Sequence, residues 1–288
     1  MLAENIELKN LLESAVTNNT KKTYQTSYNK LMKTEEFWDT NITETDNLEI
    51  IEIVKNITEN PNTRKAYIIV VIKIKRNAGK PVTELEHFIQ QNKGKIMEHI
   101  QEKKLTANPS NETINSFKEY VQQLYDAGLW VPYIINYLIL NYGVRNLDLD
   151  LLVVNNKNKK NIGNTLDNYL IVYKSKIVYL RRKYKTYKTY GEKINIINDK
   201  QFIDAVEKLN RNDYEPLLLT NAGTRITEDG ARKTIQRMTY KKYGEGRLFK
   251  LLVDDAKYNE EKLKELSDNR GTSINEIMNS YTNENLLK

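Results

Sequence analysis

Apolar residues recur at helical spacing through the first hundred positions. Within Thr20–Lys33, Tyr24, Tyr28, Leu31 and Met32 stand at i, i+4, i+7 and i+8. Within Asp46–Ile57, Ile50, Ile53, Val54 and Ile57 stand at i, i+3, i+4 and i+7. Both stripes predict amphipathic helices. A third stripe, Tyr67, Val70, Val71 and Ile74, follows Asn62 and Thr63, either of which suits an N-cap. The β-branched run Ile68–Ile72 leaves a buried strand open there. Gly79-Lys80-Pro81 breaks the pattern, and Thr83-x-x-Glu86 offers a capping box for a helix running toward Lys104. The Pro/Asn/Ser stretch Thr106–Ser110 reads as a linker.

Beyond it the period changes twice. Ile114–Tyr125 and Val131–Tyr142 predict two helices, the second with Pro132 in its first turn. Short apolar runs then predict strands at Asp148–Val154, Tyr169–Tyr173, Ile177–Leu180 and Lys193–Ile197. The polar, lysine-rich 155–164 reads as a loop, and Tyr190-Gly191 as a turn. Helical spacing returns after Asp199, with breaks at Pro216, Gly223 and Gly271. The expected fold class is therefore mainly α with a small antiparallel β-sheet (α+β). A helical N-terminal domain (1–105) and a linker (106–110) precede a mixed C-terminal domain (111–288). No internal repeat is visible.

Composition narrows the chemistry. The 288 residues carry a net charge of +7, and acids and bases nearly balance through Ser110, so the excess lies in the C-terminal part. A basic excess favours a polyanionic partner. With no cysteine, disulfides, thiolate zinc sites and thiol nucleophiles are excluded. The two histidines, His87 and His99, both fall in the N-terminal part, which argues against a His-based metal site or Ser/His/Asp triad further on. No apolar stretch is long enough for a bilayer, and the N-terminus lacks the pattern of a signal peptide. A soluble, intracellular protein is expected.

Four places carry candidate chemistry. The first is Gly143-Val144-Arg145-Asn146-Leu147-Asp148-Leu149, where an arginine follows an apolar helix with a carboxylate three residues on. Buried arginines are rare unless paired, and the planar guanidinium suits carboxylate or phosphate; an ion pair with Asp148 that merely ends the helix is the plainer account. The second is Arg181 to Lys193, where Arg181, Arg182, Lys183, Lys185 and Lys188 are interleaved with tyrosines. Such a segment is either a solvated edge hairpin or one that reaches into a DNA groove. The third is Gly244-Glu245-Gly246-Arg247, at a helix start. The fourth is Ser273–Tyr281, a short helix after Gly271 that ends in a tyrosine, with Arg270 close before it.

Taken in order, Gly-x-Arg-x-x-Asp-Leu, a lysine between two strands, a second arginine opening a helix and a C-terminal tyrosine resemble the tyrosine recombinase (phage integrase) family, of a divergent viral or mobile-element type. The resemblance is firmest from Ser110 to Tyr281. It implies a helical core-binding domain joined to an integrase-type catalytic domain. It implies a site-specific DNA recombinase that cleaves and rejoins DNA through a 3′-phosphotyrosyl intermediate. Arg145 and Arg247 would grip the scissile phosphate, Tyr281 would attack it, and Lys188, or alternatively Lys185, would protonate the leaving 5′ oxygen. Two departures stand out: Gly244 occupies a place where the family has histidine, with Lys242 or Tyr243 near enough to approach the vacancy, and Thr272 one where it has histidine or tryptophan, with Arg270 the candidate substitute. The other basic residues of the hairpin, Arg181, Arg182, Lys183 and Lys185, would contact DNA.

The same resemblance implies double-stranded DNA as partner, several copies (a tetramer) on two DNA segments, and no cofactor, ATP or metal. The tail 283–288, with Leu286 and Leu287, could dock on a neighbouring copy. Two alternatives remain: a DNA-binding protein of the same fold that has lost catalysis, and a nicking-closing enzyme like the type IB topoisomerases.

Overall fold

The structure, a computed structural model, describes residues 6–15, 18–38, 41–96, 98–99, 113–163 and 165–282. The chain divides into two compact units, Met1–Asn108 and Pro109–Lys288. The expected linker, 106–110, and the tail 283–288 lie outside the described residues.

The first unit contains α1 (Ile6–Glu13), α2 (Asn18–Leu31), α3 (Glu35–Trp38), α4 (Asn47–Ile57), α5 (Pro61–Asn77) and α6 (Thr83–Gln91). Helix α5 is central and packs against α1, α2, α4 and α6. That surrounds its β-branched run: Tyr67, Ile68, Val70, Val71, Ile72 and Ile74 are all buried. A strand at 68–72 is thereby overturned. Burial over more than half of its circumference outweighs the modest helix penalty of Ile and Val. The cap is Asn60 rather than Asn62 or Thr63; its side chain accepts from both their backbone N–H groups, with Pro61 at the first helical position. The capping box at Thr83 does not form. Val82 stands at the cap without a side-chain bond, and Glu86 pairs with Arg76 instead.

The second unit opens with α7 (Ile114–Asp126) and α8 (Trp130–Tyr142). After a 3-10 turn at Asn146–Leu149 come β1 (Leu151–Asn155), β2 (Asn168–Val172), β3 (Ile177–Arg181), the short α9 (Tyr187–Tyr190) and β4 (Lys193–Ile197). Helix α10 (Lys200–Lys208), the two-residue β5 (Glu215–Pro216) and helices α11 (Glu228–Met238), α12 (Glu245–Ala256), α13 (Glu260–Arg270) and α14 (Ile274–Tyr281) complete it. The protein is mainly helical with one five-stranded sheet, ordered β4-β3-β2-β1-β5.

The sheet is mixed rather than wholly antiparallel, because β1 and β2 run parallel. Parallel neighbours need a crossover too long for a hairpin. The segment expected as a loop supplies it, folded in part as a 3-10 helix at Asn156–Ile162. Alternate strand residues face opposite sides. Leu151, Val153, Leu170, Ile177 and Tyr179 join the main core with Ile134, Ile135, Leu138 and Ile139 of α8. Leu152, Val154, Tyr169, Ile171 and Leu180 form a smaller cluster on the other face. A third cluster, around Phe249, Leu252, Val253, Leu263, Leu266 and Ile277, binds α12, α13 and α14 to each other and seats Tyr281 at its margin.

Candidate active site

Helix α8 stops because Gly143 adopts a left-handed conformation, φ +57°, with its N–H on the carbonyl of Ile139. Glycine is required there twice over: a Cβ would lie 2.6 Å from the Phe249 ring. Val144 is buried, and Arg145 then heads the 3-10 turn. The Asp148 carboxylate fixes that turn. One oxygen accepts from the backbone N of Arg145 at 3.1 Å and lies 3.5 Å from Nη1 of Arg181. Asp148 is wholly buried, which pushes its pKa up against the pull of Arg181. A guanidinium pair between Arg145 and Asp148 is therefore not what ends the helix. The Arg145 side chain is half-buried and points elsewhere, donating Nη1 to the carbonyl of Arg270 at 2.5 Å. Burial, and then the like charge of Arg270, lower its pKa.

Arg270 is the hub. It is 1 % exposed, and its guanidinium lies 3.8 Å from the centroid of the Phe249 ring. Nη1 donates to the carbonyl of Gly143 at 2.6 Å. Nη2 donates to Glu245 at 3.0 Å and to the Tyr281 hydroxyl at 3.0 Å. The Tyr281 ring meets Phe249 edge to face at 4.8 Å. The second Glu245 oxygen accepts from the backbone N of Asn146 at 2.8 Å. One carboxylate thus joins the turn after α8, the end of α13 and, through Arg270, the last residue of α14. Glu245 was not among the residues expected from sequence. An acid in the first turn of a helix ordinarily answers to the helix dipole, so nothing in the sequence marked it out.

Helix α13 ends against the rest of the site. Three successive carbonyls at its C-terminus each accept a side-chain bond from a different element: Asn269 from Arg181 at 2.7 Å, Arg270 from Arg145, and Gly271 from Thr186 at 2.6 Å. Positive charge is favoured at a helix C-terminus, where these carbonyls have no partner within the helix. Gly271 itself is left-handed, φ +62°, and the Thr186 hydroxyl and Tyr184 ring approach to within 2.9 Å of where a Cβ would stand.

Arg181 corrects an expectation. Placed on DNA by the resemblance, it is instead 1 % exposed, and it also donates to Asn195 at 2.9 Å. Strand parity carried the signal: Arg181 shares a face with the buried Ile177 and Tyr179. Arg182 pairs with Glu192 and the carbonyl of Gly163, and Lys183 with Asp150, so both are partly committed within the fold. Lys185 and Lys188 are exposed, without an ion pair or hydrogen bond to a described side chain. They flank Thr186, so the β3–β4 connection that bears them is pinned beside Gly271.

Arg247 is half-buried in the first turn of α12, two residues from Glu245, with its guanidinium 3.8 Å from the centre of the Tyr243 ring. It is not bonded to Arg145, Arg270 or Tyr281. The structure therefore gathers Arg145, Arg270, Tyr281 and the unforeseen Glu245 into one hydrogen-bonded cluster. Arg247, Lys185 and Lys188 are borne by segments joined to that cluster. Gly244 caps α12 without a side chain, and a Cβ there would meet nothing within 4 Å. Among the described residues no group of His, Asp and Glu is arranged to hold a metal, and no helix is long and apolar enough to cross a membrane.

No family model matches the chain, and no curated protein matches it either. Among solved structures, the crystal structure of XerA recombinase aligns over 97 % of this chain and 94 % of its own, at 14 % identity and a TM-score of 0.39.

Proposed function

We propose that the chain cleaves and rejoins DNA in the manner of a tyrosine recombinase, with residues 1–105 as a DNA-binding domain and 111–288 as the catalytic domain. The observation that carries this is the Arg270–Tyr281 hydrogen bond, within a cluster that also holds Arg145. A phenol hydroxyl is a weak nucleophile at neutral pH. Here it receives a bond from a buried guanidinium, which supports the oxygen as it takes on charge. Tyr281 Oη gives up its proton to solvent and attacks phosphorus; the bond from phosphorus to the 5′ oxygen breaks; Lys188 or Lys185 delivers the proton that oxygen needs. The half-buried Arg145, whose remaining guanidinium donors stay available, and Arg247 stabilise the charge gathering on the nonbridging oxygens. A 5′ hydroxyl then reverses the step, and the phosphodiester energy is kept in the covalent link. Exchange between two duplexes requires several copies of the chain.

A nicked duplex that loses its 5′ fragment after cleavage tests this. The wild type accumulates a covalent adduct, in EDTA as well as without it, and Tyr281→Phe accumulates none. The same adduct in Tyr281→Phe would refute the assignment. A second reading is favoured by two features: no imidazole stands at Gly244 or Thr272, and Glu245 already engages Arg270. It makes the chain a DNA-binding protein of this fold without catalysis. Tight duplex binding with no adduct from the wild type would establish it. Relaxation of supercoiled plasmid without recombinant products would instead mark a nicking-closing enzyme.

A further inference from the structure

The turn between α11 and α12 is strained. Lys241 and Lys242 both adopt left-handed backbone, φ 47° and 55°, and are the one consecutive non-glycine pair to do so among the described residues. Side chains disfavour that region, and glycine would make the same turn at less cost. The surroundings hold it in place. Buried Asn136 of α8 donates to the carbonyl of Met238 at 2.8 Å and accepts from the N–H of Tyr240 at 3.1 Å. The hydroxyl of Thr239 lies 2.8 and 2.6 Å from the carbonyl oxygens of Gln236 and Tyr243. Gln236 donates to the carbonyl of Lys242 at 3.1 Å. Strain so over-determined is typical of binding and catalytic sites.

What the turn presents is charge. Lys241 and Lys242 are exposed. On the preceding α11, Ala231 and Ile235 face the core, Lys233 and Arg237 stand exposed on the opposite side, and Arg232 stands exposed on the flank between. None of these three, nor Lys242, makes an ion pair with a described carboxylate. Arg232 and Arg237 are about 7.5 Å apart along the helix axis. Arg237 in the last turn answers to the helix dipole. That does not account for Arg232 and Lys233 in mid-helix, or for Lys242 beyond the end. The strip then runs straight into Gly244–Arg247.

We propose that the outer face of α11 and the strained Lys241–Lys242 turn form a surface that grips the phosphate backbone of duplex DNA and leads it toward Arg247. This rests on the DNA-directed reading of the unit. It does not need cleavage. Lysine serves at a position glycine would fill more comfortably because its ammonium is used.

The test is binding of the full-length Tyr281→Phe protein to a labelled 30-base-pair duplex from 50 to 200 mM KCl. Removing one lysine–phosphate pairing lowers the slope of log K against log salt by about 0.9. Lys242→Gly is expected to lower the slope by about that amount and to raise the melting temperature by roughly 2–4 °C as strain is relieved. Lys242→Gln should lower the slope equally with no gain in melting temperature. The triple change Arg232→Gln, Lys233→Gln and Arg237→Gln should lower it by roughly three times as much as Lys242→Gln. Unchanged slopes overturn the proposal, as would a loss confined to binding of phosphatidylserine vesicles. Lowered slopes in a protein whose wild type forms no adduct would leave this surface standing and remove the recombinase reading. An adduct with unchanged slopes would do the reverse.

Discussion

The two units bury polar groups in different ways. In the first, the buried lysine, Lys75, reaches a carbonyl, that of Thr45 at 2.5 Å, and the buried Asn47 binds Pro81 and Glu84. These bonds tie α4 to α5 and to the start of α6; they close gaps between helices. In the second, two arginines and an aspartate, Arg181, Arg270 and Asp148, are all within 1 % of complete burial. They leave atoms of charged groups unsatisfied, Nε of each arginine and one oxygen of Asp148, where the first unit leaves Oδ1 of Asn47 and Nε2 of His99. Burying charge is costly unless it is well paired, and unsatisfied atoms add to the cost. A fold needing only cohesion would do better with apolar residues at these places. Concentrated, imperfectly satisfied charge in the second unit coincides with the place where the proposed function needs groups held.

The largest effect that could break this contrast is at its centre. Arg270→Ala should lower the stability of the second unit by about 3–5 kcal/mol, since Glu245 and the carbonyl of Gly143 lose their partner. It should also remove detectable adduct. Lys75→Met in the first unit should cost about 1 kcal/mol and leave the adduct rate per folded molecule unchanged. Thermal melts and single-turnover cleavage read both. If Lys75→Met slows cleavage as much as Arg270→Ala, the buried charges of the two units do not differ in kind.

Next in size is Arg145→Ala, expected to slow single-turnover cleavage ~10²–10³-fold, as when one donor to a charged transition state is deleted. Wild-type rates would show that this guanidinium only caps α13. Glu245→Ala should follow, with a loss of roughly 10–10²-fold from misplacement of Arg270 and little change in duplex affinity. Glu245→Gln, which keeps one acceptor, should recover part of it. Equal losses in Ala and Gln would assign the effect to charge rather than to placement.

How much of this was legible beforehand follows from the range of each interaction. Gly143 and Arg145 were legible because a helix end is local: an apolar run, a glycine, then an arginine. The order of helices and strands was legible from period alone. The parallel pairing of β1 and β2 was not, since a polar crossover carries no periodic signal. Arg181 was misassigned because a basic run was read by composition, although strand parity already placed it inward. Glu245 was out of reach. Its meaning comes from Asn146 and Arg270, distant along the chain, and its own position in a first helical turn is ordinary. The Lys241–Lys242 turn was equally silent, because strain at φ is a property of the packed backbone.

The smallest effect sharpens the contrast through pH. Glu84 in the first unit accepts a bond from Asn47, which holds its pKa below the ordinary carboxylate value. A lowered pKa in the folded state contributes stability that is present above the unfolded value of 4.5 and is lost as pH falls through the folded one. Asp148 in the second unit has the opposite sign. Burial raises its pKa, so its contribution is fully present below the unfolded value of 3.8 and is lost as pH rises through the folded one. Removing each charge should therefore tilt the pH dependence in opposite directions. Relative to wild type, Glu84→Gln should lose less of its melting temperature between pH 7 and pH 3.5, and Asp148→Asn should lose more. Both variants start lower at pH 7, Asp148→Asn by more because Arg181 is left buried without its carboxylate. Melting curves across that range decide the matter. Tilts of the same sign would mean that Asp148 is held chiefly by Arg181 and the Arg145 N–H, as an ordinary paired carboxylate, and not forced upward by its burial.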